Sequence, residues 1–217
     1  MGRGAHNFFE NLLFNYILIE ILQICFVGVL MTVFLFTPKR HMDDRGWFSE
    51  VYKETTWSNL GVPTGFVQDN QSLSLKVGTV RGLHFQVPPR GQIKLVRCVR
   101  GRLFDVAVDV RRGSPTYGGF VCAELSEERG EQLYIPIGFA HGFMTLEPGS
   151  EVAYKVSDYY ASDCDGGICW SDPDLGIPWP IAPAQALVSP KDAVLPLLKD
   201  FESPFTYDGR PLELIRI

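Results

Sequence analysis

Between Phe104 and Val110 the side chains change character at every step. Phe104, Val106, Val108 and Val110 are apolar, while Asp105, Ala107 and Asp109 between them are small or acidic. Successive side chains of an extended chain point to opposite sides, so a period of two marks a strand with two unlike faces. Further β-like runs occupy residues 94–100, 120–125, 132–137 and 151–156. Glycine, proline and charged turns separate them: Gly101, then Pro115 with Gly118-Gly119, then residues 126–131. Short strands about ten residues apart with turn signals between them indicate an all-β sandwich or barrel. Gly101 reads as a hairpin point, and the polar stretch 71–75 reads as a loop. Only residues 51–60 have helical character before the end of the chain. Past Cys169 the sequence turns Pro- and Asp-rich, which predicts an irregular cover with a short helical piece near residues 192–199.

Bulk properties narrow the function classes. At 217 residues the chain can bury one full core. A net charge of -5 with no basic run gives no footprint for nucleic acid. The cysteines are odd in number (five) and form no CxxC pair, which fits reduced thiols in the cytoplasm better than a disulfide framework. Residues 16–36 are the most apolar stretch and are broken only by Glu20 and Gln23. About twenty such residues can cross a bilayer, so membrane association through 16–36 is the alternative location. A glutamate inside the span argues against it. A start at Met31 is a third reading, which leaves residues 32–38 as an ordinary strand.

The chemical signal is densest at Arg81-Gly82-Leu83-His84-Phe85-Gln86, with Lys94 ten residues beyond the histidine. Imidazole titrates nearest neutral pH, which makes His84 a candidate base. Arg81 and Lys94 add positive charge suited to an anionic substrate or a carbanion. A lone histidine in a strand is more often structural, so partners matter: His141 lies on another strand, and Tyr154 offers a phenol that can return a proton. A metal site is disfavoured, because only four histidines are present and His84-Phe85-Gln86 stands where a His-x-His motif would be needed. There is no G-x-S-x-G elbow and no Gly-rich phosphate loop. Proton transfer next to a carbonyl is the chemistry left.

Longer motifs then add a family. Asp44-Arg45-Gly46, Gln68-Asp69-Asn70, the 81–86 run, Lys94-Leu95-Val96-Arg97, residues 104–109, Ile135-Pro136-x-Gly138-Phe139-Ala140-His141-Gly142-Phe143 and Lys191-Asp192 closely resemble the dTDP-4-dehydrorhamnose 3,5-epimerases. The resemblance runs from about residue 36 to 198. It implies a cupin-type jelly-roll barrel without metal or cofactor, and a homodimer that exchanges strands. On this basis residues 1–30 are an apolar extension, 31–200 the epimerase domain and 201–217 a C-terminal tail.

The resemblance assigns His84 as base, Asp192 as its partner, Lys94 as the enolate-stabilising cation and Tyr154 as the acid. It places Arg45, Glu50, Gln68, Asp69, Asn70, Arg81, His141, Tyr160, Asp165 and Lys191 against the dTDP-sugar, with Tyr160 stacking on thymine. Asp165 stands where the family often has glutamate, one methylene longer. Met42 replaces a usual glycine before Asp-Asp-Arg-Gly. A relative inverting only one carbon, and a non-catalytic sugar-nucleotide-binding module, are the competing expectations.

Overall fold

The computed structural model describes residues 32–217 apart from residue 64. The expected extension at 1–30, and with it most of the candidate span at 16–36, lies outside the described residues. The described end of that stretch, Val33–Phe36, is a strand. Among the described residues no helix is long and apolar enough to cross a membrane. They fall into a small segment, 52–63, and a main body, 32–51 with 65–217.

The small segment holds the helix α1 (Glu54–Asn59), with an acid in its first turn, where the helix dipole favours it. Gly61, at φ +72°, ends it, and its N–H donates to the Ser58 carbonyl at 2.9 Å.

The main body carries thirteen strands among its described residues. In chain order they are β1 (Val33–Phe36), β2 (His41–Asp43), β3 (Gly46–Phe48), β4 (Gln68–Ser74), β5 (Val80–Gln86), β6 (Lys94–Arg100) and β7 (Arg102–Asp109). There follow β8 (Phe120–Ser126), β9 (Gln132–Ile135), β10 (Phe139–Thr145), β11 (Ser150–Val156), β12 (Asp165–Gly167) and β13 (Leu214–Arg216). One sheet runs β13-β1-β9-β6-β11-β4 and the other β12-β5-β10-β7-β8, with β2 and β3 as a separate hairpin. Every pairing is antiparallel except β1 with β13. The result is the all-β jelly roll.

Side-chain alternation decides which residues meet inside it. Leu103 and Ala107 of β7 pack between the sheets with Val96 and Cys98 of β6, Leu133 of β9, Phe143 of β10 and Val152 of β11. Val106 and Val108 point the other way, into a second apolar layer with Leu83, Phe85, Met144, Ile168, Trp170 and Phe205. That layer is closed by the irregular chain after Cys169, as its composition suggested. Each large apolar side chain fully buried in such a layer contributes roughly 1.5–3 kcal/mol.

Two local expectations are corrected. Gly101 is not a hairpin point, because β6 and β7 belong to different sheets. At φ +75° it turns the chain from one sheet to the other, and a Cβ there would lie 2.6 Å from Ser150 Oγ. Residues 71–74 are not a loop but part of β4, which pairs with β11 over seven residues from Ser150↔Ser74 to Val156↔Gln68. As an edge strand it needs backbone pairing on one side only and tolerates polar side chains.

Candidate active site

Parity along the strands points His84 of β5, His141 of β10, Lys94 of β6 and Tyr154 of β11 into the space between the sheets. At that end the apolar core opens into a cavity of about 500 Å³. These four residues line it together with Arg81, Lys191 and Asp192. His84 and Tyr154 therefore stand on opposite walls of one cavity, the first on the five-stranded sheet and the second on the six-stranded.

His84 and His141 are register partners across β5 and β10. The close approach of those strands is made by glycines: a Cβ on Gly82, at φ +134°, would fall 2.5 Å from the Gly142 Cα. His84 Nε2 lies 2.7 Å from Asp192 Oδ1. Asp192 begins a 3-10 turn, Asp192–Val194, and its N–H donates to Ser189 Oγ at 3.1 Å. Its other oxygen accepts from the Gly82 N–H at 3.3 Å. Burial pulls the Asp192 carboxyl upward, but the contacts with His84, Gly82 and Ser189 outweigh it and hold the group below its usual range. An ionised Asp192 can only accept, so a neutral His84 carries its proton on Nε2 and leaves the Nδ1 lone pair free to accept one.

Lys94 is only 8% exposed. Its ammonium donates to the His84 carbonyl at 3.1 Å. Burial lowers it to about 8, against the attraction of Asp105 and Asp165. At neutral pH it is still mostly a cation, and a poorly solvated one, which strengthens its pull on a nearby anion. Burial raises the Tyr154 phenol, with Arg81 opposing and Asp165 adding to the shift. Tyr154 therefore keeps its proton at neutral pH and can give it away.

Two more clusters connect to the lining residues Arg81 and Lys191. On β5, the Arg81 guanidinium donates to Ser74 Oγ at 3.2 Å and to the Leu73 carbonyl at 3.1 Å, which pins it beside β4. On β12, Asp165 accepts from the Tyr160 hydroxyl at 3.1 Å and pairs with Lys191. Tyr160 is exposed. Gln68 Nε2 donates to Asn70 Oδ1 at 2.8 Å, and Gln68 Oε1 accepts from the Tyr160 N–H at 3.3 Å. Asp69, between them on β4, instead meets Lys155 at 2.8 Å on the exposed side.

Of the residues expected at the site, Arg45, Glu50, Gln68, Asp69, Asn70, Tyr160 and Asp165 are not among those lining the cavity. Arg45 sits in the β2–β3 turn, fully paired with Asp43 at 2.6 Å. Sequence reasoning did not single out Ser72, Val188 or Ser189, which also line the cavity, and it gave Phe143 only as a motif residue without a role. Of these, Ser189 had a legible signal: a serine three residues before an acid is a common turn cap.

The fold and this acid–base geometry can be compared with known proteins. The model of the family described as dTDP-4-dehydrorhamnose 3,5-epimerase matches residues 29–200. The chain belongs to the dTDP-4-dehydrorhamnose 3,5-epimerase family. A curated relative of that name from Sinorhizobium fredii is 53% identical over 173 residues, covering 80% of this chain and 88% of the relative. Among solved structures, the dTDP-6-deoxy-D-glucose-3,5-epimerase of Legionella pneumophila in complex with dTDP-4-keto-L-rhamnose is 43% identical. It covers 80% of this chain and 92% of its own, with a TM-score of 0.75. A 3'-monoepimerase from Streptomyces bikiniensis in complex with dTDP-quinovose is 32% identical, covers 78% and 85%, and has a TM-score of 0.72. Members of the epimerase family thus share the fold of this chain across most of its length.

Proposed function

We propose that the chain converts dTDP-4-dehydro-6-deoxy-D-glucose to dTDP-4-dehydro-L-rhamnose by inverting C3 and C5, the step that leads to dTDP-L-rhamnose. The observation that carries the reading is the single cavity with His84 held by Asp192 on one wall and Tyr154 on the other. His84 Nδ1 removes the proton from a carbon next to the C4 carbonyl, and the C–H electron pair moves onto the C4 oxygen as an enolate. Lys94 stabilises that oxygen through its charge. As the carbonyl re-forms, the Tyr154 phenol delivers a proton to the opposite face of the same carbon. Imidazolium and phenolate then exchange protons with solvent, which restores both groups. Nothing is oxidised or reduced, and Lys94 supplies the positive charge a metal would otherwise bring, so the reaction needs neither metal nor cofactor.

Arg81, His141, Lys191, Gln68, Asn70, Tyr160, Asp165 and Asp69 are assigned to the sugar nucleotide on the strength of the family motifs. Arginine suits the diphosphate, because its planar fork pairs two oxygens at once. Arg45 and Glu50 belong to the same assignment. Because they stand apart from their own cavity, they fit the strand-exchanged homodimer, in which each would serve a second copy of the chain. The domain limits at 31–200 and a cytoplasmic location are part of the proposal, the latter supported by free thiols at Cys98, Cys122, Cys164 and Cys169.

The Streptomyces monoepimerase favours a second reading, inversion of one carbon only. Incubation with the 4-keto substrate in heavy water separates the two. Deuterium at both C3 and C5 with inverted product is expected, and deuterium at one carbon would support the monoepimerase. His84→Ala should abolish the exchange, and retained exchange would remove His84 from the role of base. Binding with no exchange by the unaltered chain would favour a non-catalytic module.

A further inference from the structure

Behind the cavity wall, on β7, lies a carboxylate to which the mechanism above gives no part. Asp105 is 0% exposed. It shares the inner face of β7 with Ala107, and it pairs in register with Phe143, on the face that also carries His141. Its Oδ1 lies 2.9 Å from His141 Nε2. Its Oδ2 is also buried and accepts no hydrogen bond from any described residue. Leaving one carboxylate oxygen buried and unpaired costs roughly 1–3 kcal/mol, more for a charged group. A β-strand core tolerates a Val or Leu at such a position at no such cost, so the acid calls for a counterpart in charge. The cavity wall has one in Lys94, whose attraction to Asp105 is the foremost influence opposing its burial.

We propose that Asp105 is a positioning residue for the epimerisation, fixing His141 as its Nε2–H tautomer and keeping Lys94 an ammonium at neutral pH. The inference rests on the epimerase reading above. Because the Nε2–H donates to the carboxylate, His141 presents Nδ1 as an acceptor, suited to a sugar hydroxyl donor. Burial keeps that imidazole neutral despite Asp105, with Lys94 and His84 adding to the effect. Lys94 is faced by Asp105 from β7, His84 from β5, His141 from β10, Tyr154 from β11 and Asp165 from β12. Asp192, Arg81 and Lys191 also line the cavity. Asp192 is matched by His84, and Asp165 by Lys191 and Tyr160. Among the described residues Asp105 is the member of the set whose spare oxygen is buried, and of the two acids that attract Lys94 it acts the more strongly.

The test is Asp105→Asn in the full chain, which keeps the shape and the acceptor for His141 while removing the charge. The basic limb of the kcat/KM profile should move down by about one pH unit. At pH 8 kcat/KM should fall about tenfold, with much of the loss recovered at pH 6.5 and with kcat affected more than KM. A profile that keeps its basic limb, in a variant whose only change is a lower Tm, would overturn the proposal and leave Asp105 a structural residue. Should the variant not fold, ¹⁵N imidazole spectra of the unaltered protein remain decisive. His141 as a neutral Nε2–H tautomer through pH 7 is expected, and an Nδ1–H tautomer or an imidazolium there overturns it. Failure of the epimerase reading itself would look different: the unaltered chain would not turn over the 4-keto sugar at all.

Discussion

Lys94 is held where a lysine is least comfortable, and Lys94→Met should make the protein more stable while removing its activity. An ammonium displaced from the ordinary 10.5 to about 8 by burial costs the folded state about 3 kcal/mol wherever the unfolded chain keeps it charged. Methionine fills similar space without charge, but it strips the His84 carbonyl of its donor, a loss of about 1 kcal/mol. The net gain at pH 7 is about 2 kcal/mol, or roughly 4–8 °C in Tm for a chain of this size. The pH dependence has a definite sign. The folded value lies below the unfolded one, so the cost is fully present below pH 8 and fades as pH rises from about 8 to 10.5. Urea denaturation of both proteins at pH 7 and pH 10 reads this directly: the variant should lead at pH 7 and lose most of its advantage at pH 10. Steady-state assays at pH 7 should show kcat/KM down by about 10²–10³-fold, as expected when one group stabilising a developing oxyanion is lost. A variant less stable than its parent at pH 7, or a stability gap that ignores pH, would refute the account of Lys94 as a charge kept for chemistry at the expense of the fold.

Three further outcomes follow from the same geometry. Tyr154→Phe should cut net inversion by about 10²–10⁴-fold while leaving much of the solvent exchange, because it removes the returning proton and spares the base; equal losses in product and in isotope exchange would count against Tyr154 as the acid. Gly82→Ala puts a Cβ 2.5 Å from the Gly142 Cα at a φ of +134°, so it should cost roughly 2–4 kcal/mol in denaturation and carry His84 out of register. Arg111→Met strands the fully buried Asp109, which Arg111 meets at 2.8 Å, and should cost about 3–5 kcal/mol. Burial raises the Asp109 carboxyl, but the bonds from Arg111, Ser114 and Thr116 prevail and hold it low. Its stabilisation is thus present at neutral pH and lost as pH falls through that depressed value; in the variant, acid denaturation should begin at higher pH.

Much of the fold could be read from single strands. The 104–110 alternation placed Val106 and Val108 on one layer and Ala107 on the other, because parity is a local property of extended chain. Which strand pairs with which is not local. Gly101 looked like a hairpin because a glycine between two β runs serves a sheet-to-sheet corner equally well. Residues 71–74 looked like a loop because polarity was taken for irregularity, whereas an edge strand with one open face can be polar throughout. At the site, the acidic phase of β7 signalled Asp105 in plain view: an acid between Phe104 and Val106 is either on the surface or committed to a partner. The reach of His84 to Asp192 spans 108 residues, and no spacing rule predicts such a pair; only the family motif suggested it. Val188 and Ser189, in irregular chain without periodicity, left little to read.

On the mechanism proposed above, one base and one acid suffice for two carbons. In a D-gluco chair the hydrogens at C3 and C5 are both axial, lie on the same face of the ring and flank the C4 carbonyl symmetrically. A base on the five-stranded wall can reach either from below, and an acid on the six-stranded wall can return a proton to either from above. In the same scheme the Lys94 ammonium would serve both enolates, since the oxygen that takes up the charge is the same. Inverting the second carbon therefore requires no further catalytic group, only a ring that shifts by a bond length or two between steps. In that scheme the difference between a double and a single epimerase would lie in how the sugar nucleotide is held, not in the acid–base set. That directs attention to the β4 polar pair, Gln68 and Asn70, and to the Tyr160–Asp165–Lys191 cluster, rather than to the acid–base set.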